Sequence, residues 1–170
     1  KRLGIAAKYV VADARYLPFP AKVFDVVFSY SVLQHFSKQD ALLALLGTAR
    51  VLRDDGMSLI QMPNAFGIRS LQHQMMRGFR STTGFDVRYW TPLELRRTFG
   101  RLIGETALSV DCFFGLGLQY SDMRLLPFKY QVVLRTSELL RRISRRLPLL
   151  SLIADSVYVR SRRKLELRST

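Results

Sequence analysis

A chain of 170 residues with 48% hydrophobic residues can bury one sizeable core, so we expect a single domain or most of one, and not a disordered chain. The formal net charge of +14 fits three kinds of partner: nucleic acid, an anionic membrane surface or an acidic substrate. The one cysteine, Cys112, excludes an intrachain disulfide, and no cysteine and histidine cluster has metal-ligand spacing. We therefore expect a reducing, cytoplasmic setting and no metal ion.

Two short apolar runs near the beginning of the chain predict β-strands. Residues 9–12 and 24–29 are rich in β-favouring side chains, and the segment 17–20 between them carries two prolines typical of a loop. We expect both strands to be buried on two faces.

A helix and a third strand follow. Apolar residues recur at spacings of three and four from residue 38 to residue 52, which predicts a helix packed on a sheet, with Ser37 as its N-cap. The Asp-Asp-Gly sequence at 54–56 is expected to end the helix. Residues 57–62 then predict a buried strand. This order of elements indicates an α/β doubly wound sheet.

In the second half of the chain, residue patterns predict further helices and strands, separated by two long insertions. Thr91, Pro92 and Glu94 have the pattern of a helix start with a capping box, and that helix is expected to run to about Phe99. We expect strands at 107–114 and 155–160, a short helix near 70–76, a basic helix at about 130–147 and a frayed, charged tail at 161–170. Pro148 opens a short apolar turn or helix.

Several motifs taken together resemble those of class I S-adenosylmethionine-dependent methyltransferases of the small-molecule type. The matching segments read VVADA at 10–14, LPF at 17–19, FDVVFS at 24–29, VLQH at 32–35, ARVLRDDG at 49–56 and RYWTPLEL at 88–95. The resemblance covers about residues 3–114 and resumes near 154–163. It implies a Rossmann-like sheet in the order 3-2-1-4-5-7-6 with an antiparallel last strand, and S-adenosylmethionine as cofactor.

The resemblance also implies that the fold is incomplete at its N-terminal side. The family's glycine-rich turn and ribose-binding acid have no counterpart in this sequence, and residues 1–5 resemble the end of the helix before the third strand. We therefore expect residues 1–170 to form a partial methyltransferase domain, with insertions at about 65–90 and 115–153, unpaired sheet edges and exposed apolar faces. The fragment is expected to be inactive alone.

The resemblance assigns the following site residues. Asp13 matches the acid that accepts a hydrogen bond from the adenine amino group, and the amide of Ala14 would meet a ring nitrogen; the alternative is that Asp13 only caps a turn. Ser29 and Tyr30 match the strand end that passes the cofactor's methionine moiety. Asp25 is more a structural acid than a catalyst in the family.

Two further residues are weaker candidates. His35 can take a proton near neutral pH and is the candidate catalytic residue, with a packing role as the equal alternative. Asn64 stands at the carboxyl edge of the sheet, where substrate groups gather, but it is also an ordinary turn residue after proline.

Two apolar or amphipathic groups remain open to interpretation. One group of side chains either lines an acceptor pocket or forms the core of a lid, and comprises Met75, Met76, Phe79, Phe85, Tyr89 and Trp90. Residues 139–147 alternate apolar and arginine pairs, which is typical either of an amphipathic helix that contacts an anionic membrane or acidic partner, or of a solvated basic face.

These observations favour an enzyme that transfers the methyl group of S-adenosylmethionine to a small-molecule or lipid-like acceptor, in the cytoplasm or peripheral to a membrane. The alternative is a non-catalytic basic module that binds nucleic acid or anionic membrane through its arginine-rich second half. The strand motifs are not explained by that alternative.

Overall fold

The computed structural model describes residues 6–80, 84–115 and 120–164. Within them lie four strands and four α-helices: β1 (Phe24–Ser29), α1 (Lys38–Val51), β2 (Leu52–Pro63), α2 (Ile68–Met76), α3 (Pro92–Leu102), β3 (Gly104–Cys112), α4 (Phe128–Ser144) and β4 (Ser156–Arg163). Short 3-10 helices span Leu33–His35, Tyr120–Leu125 and Pro148–Leu152. The helix end expected at residues 1–5 and the last part of the expected tail, from residue 165, lie outside the described residues.

The four strands form one sheet in the order β1-β2-β4-β3. β1 pairs parallel with β2, with Val26 opposite Met57, whereas β4 runs antiparallel to both β2 and β3, with Ile60 opposite Val159. This is the 4-5-7-6 half of the expected strand order. The predicted fold class, a methyltransferase sheet incomplete on one side with an antiparallel last strand, is confirmed.

Helices α1 and α3 cover one face of the sheet and close the core. Buried Leu45 of α1 and Leu95 and Phe99 of α3 belong to the same apolar cluster as Ile60 and Val159 of the strands. Both helices begin at the predicted caps, which fix where each helix enters the core. The Ser37 hydroxyl accepts from the Asp40 amide, and Thr91 and Glu94 form the complete capping box.

The expected strand at residues 9–12 is wrong in this structure. Those residues form no strand and are exposed, Tyr9 to 88%. No described segment offers them backbone hydrogen bonds, and an apolar run without a pairing partner cannot form a ladder.

β1 is likewise not buried on two faces, because the sheet face opposite α1 and α3 is open along this strand. Phe28 is 60% exposed, and no described strand pairs with the outer edge of β1. This confirms the unpaired edge and exposed apolar face expected of an incomplete sheet.

Several element boundaries also differ from the prediction. α1 ends at Val51 and β2 begins at the next residue, so the Asp-Asp-Gly sequence does not end the helix but forms an irregularity inside β2, where Asp55 has a positive φ of 63°. β3 begins at Gly104 and ends at Cys112. β4 continues to Arg163, so the tail expected to fray from residue 161 is partly held, because Ser161 pairs with strands on both sides.

Among the helices that the structure describes, none is both long enough and apolar enough to cross a membrane.

Candidate active site

A cleft opens where β1 and β2 end, at the carboxyl edge of the parallel strand pair. It holds about 210 Å³. Its polar and aromatic lining includes Tyr30, Ser31, Gln34, Gln61, Arg69, His73, Tyr89, Asp111 and Ser156. The strand ends form its floor, α2 and the segment before α3 form one wall, and the end of β3 forms the other. In doubly wound sheets, ligands bind at such an edge.

Gln61 stabilises the floor of the cleft through hydrogen bonds of its side chain. Its side chain is buried, its Oε1 accepts from the Ser31 amide at 2.9 Å, and its Nε2 donates to the Ser156 hydroxyl. The backbone of Ser31 turns at this point with a φ of 55°. Gln61 therefore holds the end of β1 against the start of β4. Sequence reasoning missed it, because a glutamine within an apolar strand gives no sign of which neighbours it bonds.

Asp155 fixes the wall formed by α2. Its buried Oδ1 accepts from the Arg69 and Ser70 amides at 2.7 and 2.9 Å, and its Oδ2 accepts from the Phe114 amide at 2.6 Å. A carboxylate that accepts hydrogen bonds from two amides in the first turn of α2 acts as a helix cap, here supplied by a distant part of the chain. Gly67 makes this approach possible, since a Cβ there would lie 2.4 Å from the Asp155 Cα.

Asn64 has a structural role beneath this wall. Its side chain is fully buried; Nδ2 donates to the carbonyls of Leu152 and Ala154 at 2.8 Å, and Oδ1 accepts from the Phe66 amide at 3.0 Å. These bonds occupy both ends of the amide, so no polar atom remains for a substrate. These bonds favour the role of an anchor, and the substrate-binding role suggested by the position of Asn64 after Pro63 stays a prediction.

The titratable group of most chemical interest in the cleft is Asp111, which sequence reasoning did not single out. Burial raises the pKa of its carboxyl, and the Ser156 hydroxyl, the Arg141 charge and the Tyr158 hydroxyl partly offset that effect. Its Oδ2 is buried without a hydrogen-bond partner among the described residues. A carboxyl group held in this way retains a proton more readily than an exposed one and is a typical site for proton exchange.

The tyrosine and cysteine neighbours of Asp111 are held in their neutral forms. Burial, followed by the nearby Asp111 carboxylate, raises the pKa of the Tyr30 and Tyr158 hydroxyls, that of Tyr158 to about 12. Burial also raises the pKa of the Cys112 thiol to about 12, so this thiol stays protonated near neutral pH. Asp111 is therefore the acid of this group that changes charge most readily.

The predicted cofactor residues fall into two places. Ser29 ends β1, and Tyr30, directly after it, lines the cleft. Asp13 and Ala14 lie outside the cleft lining, beside the start of α1, where Arg15 bonds both the Asp13 carboxylate and Asp40. These hydrogen bonds from Arg15 hold the pKa of Asp13 below its ordinary value.

His35 is held by neighbours on both ring nitrogens. Nδ1 lies 2.9 Å from the Phe85 carbonyl and Nε2 lies 3.1 Å from the Gln34 amide nitrogen, while the imidazole stacks on the Phe85 ring with centroids 4.0 Å apart. The carbonyl can only accept and the amide nitrogen can only donate, so Nδ1 carries the proton and Nε2 accepts. These contacts occupy both ring nitrogens and favour the packing role of His35, while its catalytic role stays a prediction.

The apolar side chains of residues 75–90, predicted to line an acceptor pocket or to form the core of a lid, do not all have the same role. Trp90 is buried in the core, and Tyr89 lines the cleft with its hydroxyl 3.4 Å from the His73 Nδ1. The remaining members form neither core nor pocket lining, since they are exposed: Met75, Met76, Phe79 and Phe85.

Comparison with known proteins agrees with this geometry. Residues 1–60 match the family described as methyltransferase domain, whereas no curated protein matches the chain. A SAM-dependent methyltransferase from Thermotoga maritima superposes with a TM-score of 0.56 at 14% identity, covering 90% of this chain and 62% of that one. A SAM-dependent methyltransferase from Archaeoglobus fulgidus gives 0.54 at 16% identity, with 91% and 66% covered.

The chain thus spans somewhat less than two thirds of the length of these solved structures. The family match rests on the first third of the sequence, and the likeness to the solved structures establishes the fold across the sheet. The sequence matches the methyltransferase domain family over its first sixty residues, and the described sheet has the fold of SAM-dependent methyltransferases, proteins whose cofactor is S-adenosylmethionine.

Proposed function

We propose that the protein transfers the methyl group of S-adenosylmethionine to a small-molecule or lipid-like acceptor bound in the cleft. The observation that carries this proposal is the position of the cleft at the carboxyl edge of β1 and β2, with the half-buried carboxyl of Asp111 in its wall. A non-catalytic binding module would leave both the cleft and this carboxyl without a role.

The residues at 13 and 14 fit the adenine end of the cofactor. Asp13 presents carboxylate oxygens, which can only accept hydrogen bonds, and the Ala14 amide has no partner among the described residues. An acceptor beside a free donor matches the amino group and ring nitrogen of adenine. When bound, the cofactor supplies an activated methyl group on a sulfonium, so the protein needs to align and desolvate the acceptor but not to form a covalent intermediate.

The cleft residues would orient the acceptor and receive its proton. Tyr30 and Tyr89 offer aromatic surfaces and hydroxyls, and Arg69, in the first turn of α2, also lines the cleft. An oxygen or nitrogen acceptor that is methylated must lose a proton. Asp111 takes it in our proposal, because its raised pKa makes it a stronger base than an exposed carboxylate.

The test is a methyl-transfer assay of the full-length protein with methyl-labelled S-adenosylmethionine and a panel of phenols, amines and lipid-like quinols. We expect transfer to at least one class and a rate that rises with pH as Asp111 loses its proton. Asp111→Asn should lower kcat by about 100-fold, within the usual range for general base catalysis, and remove that pH dependence.

Asp86→Asn is the matched control, since Asp86 is exposed and pairs only loosely with Arg77, at 3.7 Å. It should leave kcat unchanged. An Asp111→Asn variant with the wild-type rate and pH profile would remove Asp111 from the mechanism, and a protein that methylates no member of the panel would contradict the proposed acceptor classes.

A further inference from the structure

Helix α4 carries an exposed apolar stripe on the side that faces away from the domain. Its inner side is fixed by Ser137, whose buried hydroxyl accepts from the Phe113 amide at 3.0 Å, and by Leu140, which packs on the core. On the outer side, four apolar side chains follow one another at spacings of four, seven and four residues: Phe128, Val132, Leu139 and Ile143, with exposed fractions of 76, 44, 57 and 37%.

These spacings place the four side chains within an arc of about 60° on an α-helix, so they form one continuous stripe. Leu125 and Leu147 extend the apolar surface at the two ends of the helix and are also exposed. Leu140 instead points inward, and the outward stripe runs along the whole helix.

Arginines flank this stripe. Arg135 and Arg142 lie on one side of it at helical spacing, and Arg146 follows its end; all three are exposed. The segment 124–147 holds seven lysines and arginines and a single acid, Glu138, which is bonded to Arg141 and Arg142. The surface around the stripe is therefore strongly positive.

The combination of features selects one kind of partner. A solvated basic face would not expose Phe128 and Leu139, because apolar surface in water is unfavourable. Nucleic acid would bind the arginines and leave the apolar stripe in water. An anionic bilayer satisfies both, since the stripe enters the acyl boundary and the arginines meet the lipid phosphates.

We propose that the outer face of α4 docks this protein on an anionic membrane, with the helix lying in the plane of the interface. Asp111 lines both the cleft and a cavity bounded by Arg141 and Ser144 of α4. Docking would therefore hold the cleft about one helix diameter, roughly 10 Å, from the lipid. This last point rests on the proposed function and would suit a lipid-like acceptor, whereas the docking itself does not depend on catalysis.

The test is sedimentation of the full-length protein with vesicles of phosphatidylcholine containing about one third phosphatidylserine, and with vesicles of phosphatidylcholine alone. We expect binding to the mixed vesicles only, and a steep loss of binding as salt rises from roughly 0.05 to 0.3 M, because salt screens the lipid charge.

Two variants separate the contributions. Arg135→Glu/Arg142→Glu/Arg146→Glu should weaken binding at least 100-fold, since each basic residue near the surface contributes about fivefold. Phe128→Ser/Leu139→Ser should weaken it at least tenfold without changing the charge. All five side chains are exposed, so the fold should be retained, as circular dichroism would verify.

Arg96→Glu/Arg97→Glu/Arg101→Glu is the matched charge control, because it reverses three exposed arginines on a different helix, α3. It should bind like the wild type. Equal loss in this control would show a nonspecific effect of net charge and overturn the proposal. So would the absence of sedimentation at low salt, or full binding by the Phe128→Ser/Leu139→Ser variant. Binding of duplex DNA in place of vesicles, measured by fluorescence anisotropy, would assign the arginines to nucleic acid instead.

Discussion

Replacing Asn64 by alanine should destabilise the fold and identify this residue as an anchor. The change removes the Nδ2 donor from the carbonyls of Leu152 and Ala154, both at 2.8 Å, and the Oδ1 acceptor from the Phe66 amide at 3.0 Å. Each lost bond costs about 1 kcal/mol, and more where the remaining group stays buried and unsatisfied. We therefore expect a loss of about 2–4 kcal/mol in the free energy of unfolding.

Urea unfolding of the full-length protein, followed by far-ultraviolet circular dichroism, measures this loss as a shift of the midpoint. Gln39→Ala is the matched control, because it removes a side-chain amide from an exposed position of α1 and should change the free energy by less than about 0.5 kcal/mol. If Asn64→Ala unfolds like the wild type but loses acceptor affinity, the anchoring role is refuted and the substrate-binding role is supported.

Three further changes test other parts of the structure. Thr91→Ala removes the cap that bonds Glu94 and should cost about 1 kcal/mol in a thermal or urea melt, whereas Thr91→Ser should restore most of it. Gly104→Ala should lower the free energy of unfolding by about 1–3 kcal/mol or prevent folding, because Gly104 has a φ of 150° and the added Cβ would lie 2.2 Å from the Arg162 carbonyl oxygen. An unchanged melting temperature would contradict the pairing of β3 with β4. The folded state raises the pKa of Asp111, so the stability that its proton confers is lost as pH rises through that pKa. Asp111→Asn should therefore stabilise the protein near pH 7, and less at about pH 3.5, where the carboxyl of the wild type is protonated. An equal effect at both pH values would contradict the burial of this carboxyl.

The sequence predicted those features that depend on local patterns. The caps at Ser37 and Thr91 are short-range signals, because the capping group and the amide that it receives lie three residues apart. The run at 24–29 became β1 because its parallel partner in β2 lies in the same chain. The resemblance added the order of the strands, which residue patterns alone do not determine.

What the sequence did not reveal depends on contacts between distant residues. The run at 9–12 has the same β-favouring composition as β1, but it has no pairing partner among the described residues and stays exposed. Asp155 caps α2 across more than eighty residues, and the bonds of Gln61 and Asn64 reach as far. Asp111 appeared only as part of an apolar run, because its burial and its neighbours come from the folded sheet.

Asp13 is the residue through which we expect the protein to hold S-adenosylmethionine. Calorimetric titration of S-adenosylmethionine into the full-length protein and its Asp13→Ala variant tests this directly, with Asp25→Ala as control, since Asp25 is also an exposed acid paired with an arginine, Arg53. We expect saturable binding by the wild type and the control, and affinity about 5- to 150-fold lower in Asp13→Ala, corresponding to about 1–3 kcal/mol for one unsatisfied partner. Equal affinity in a folded Asp13→Ala variant would remove Asp13 from the cofactor site, and no binding by the wild type would contradict the account as a whole.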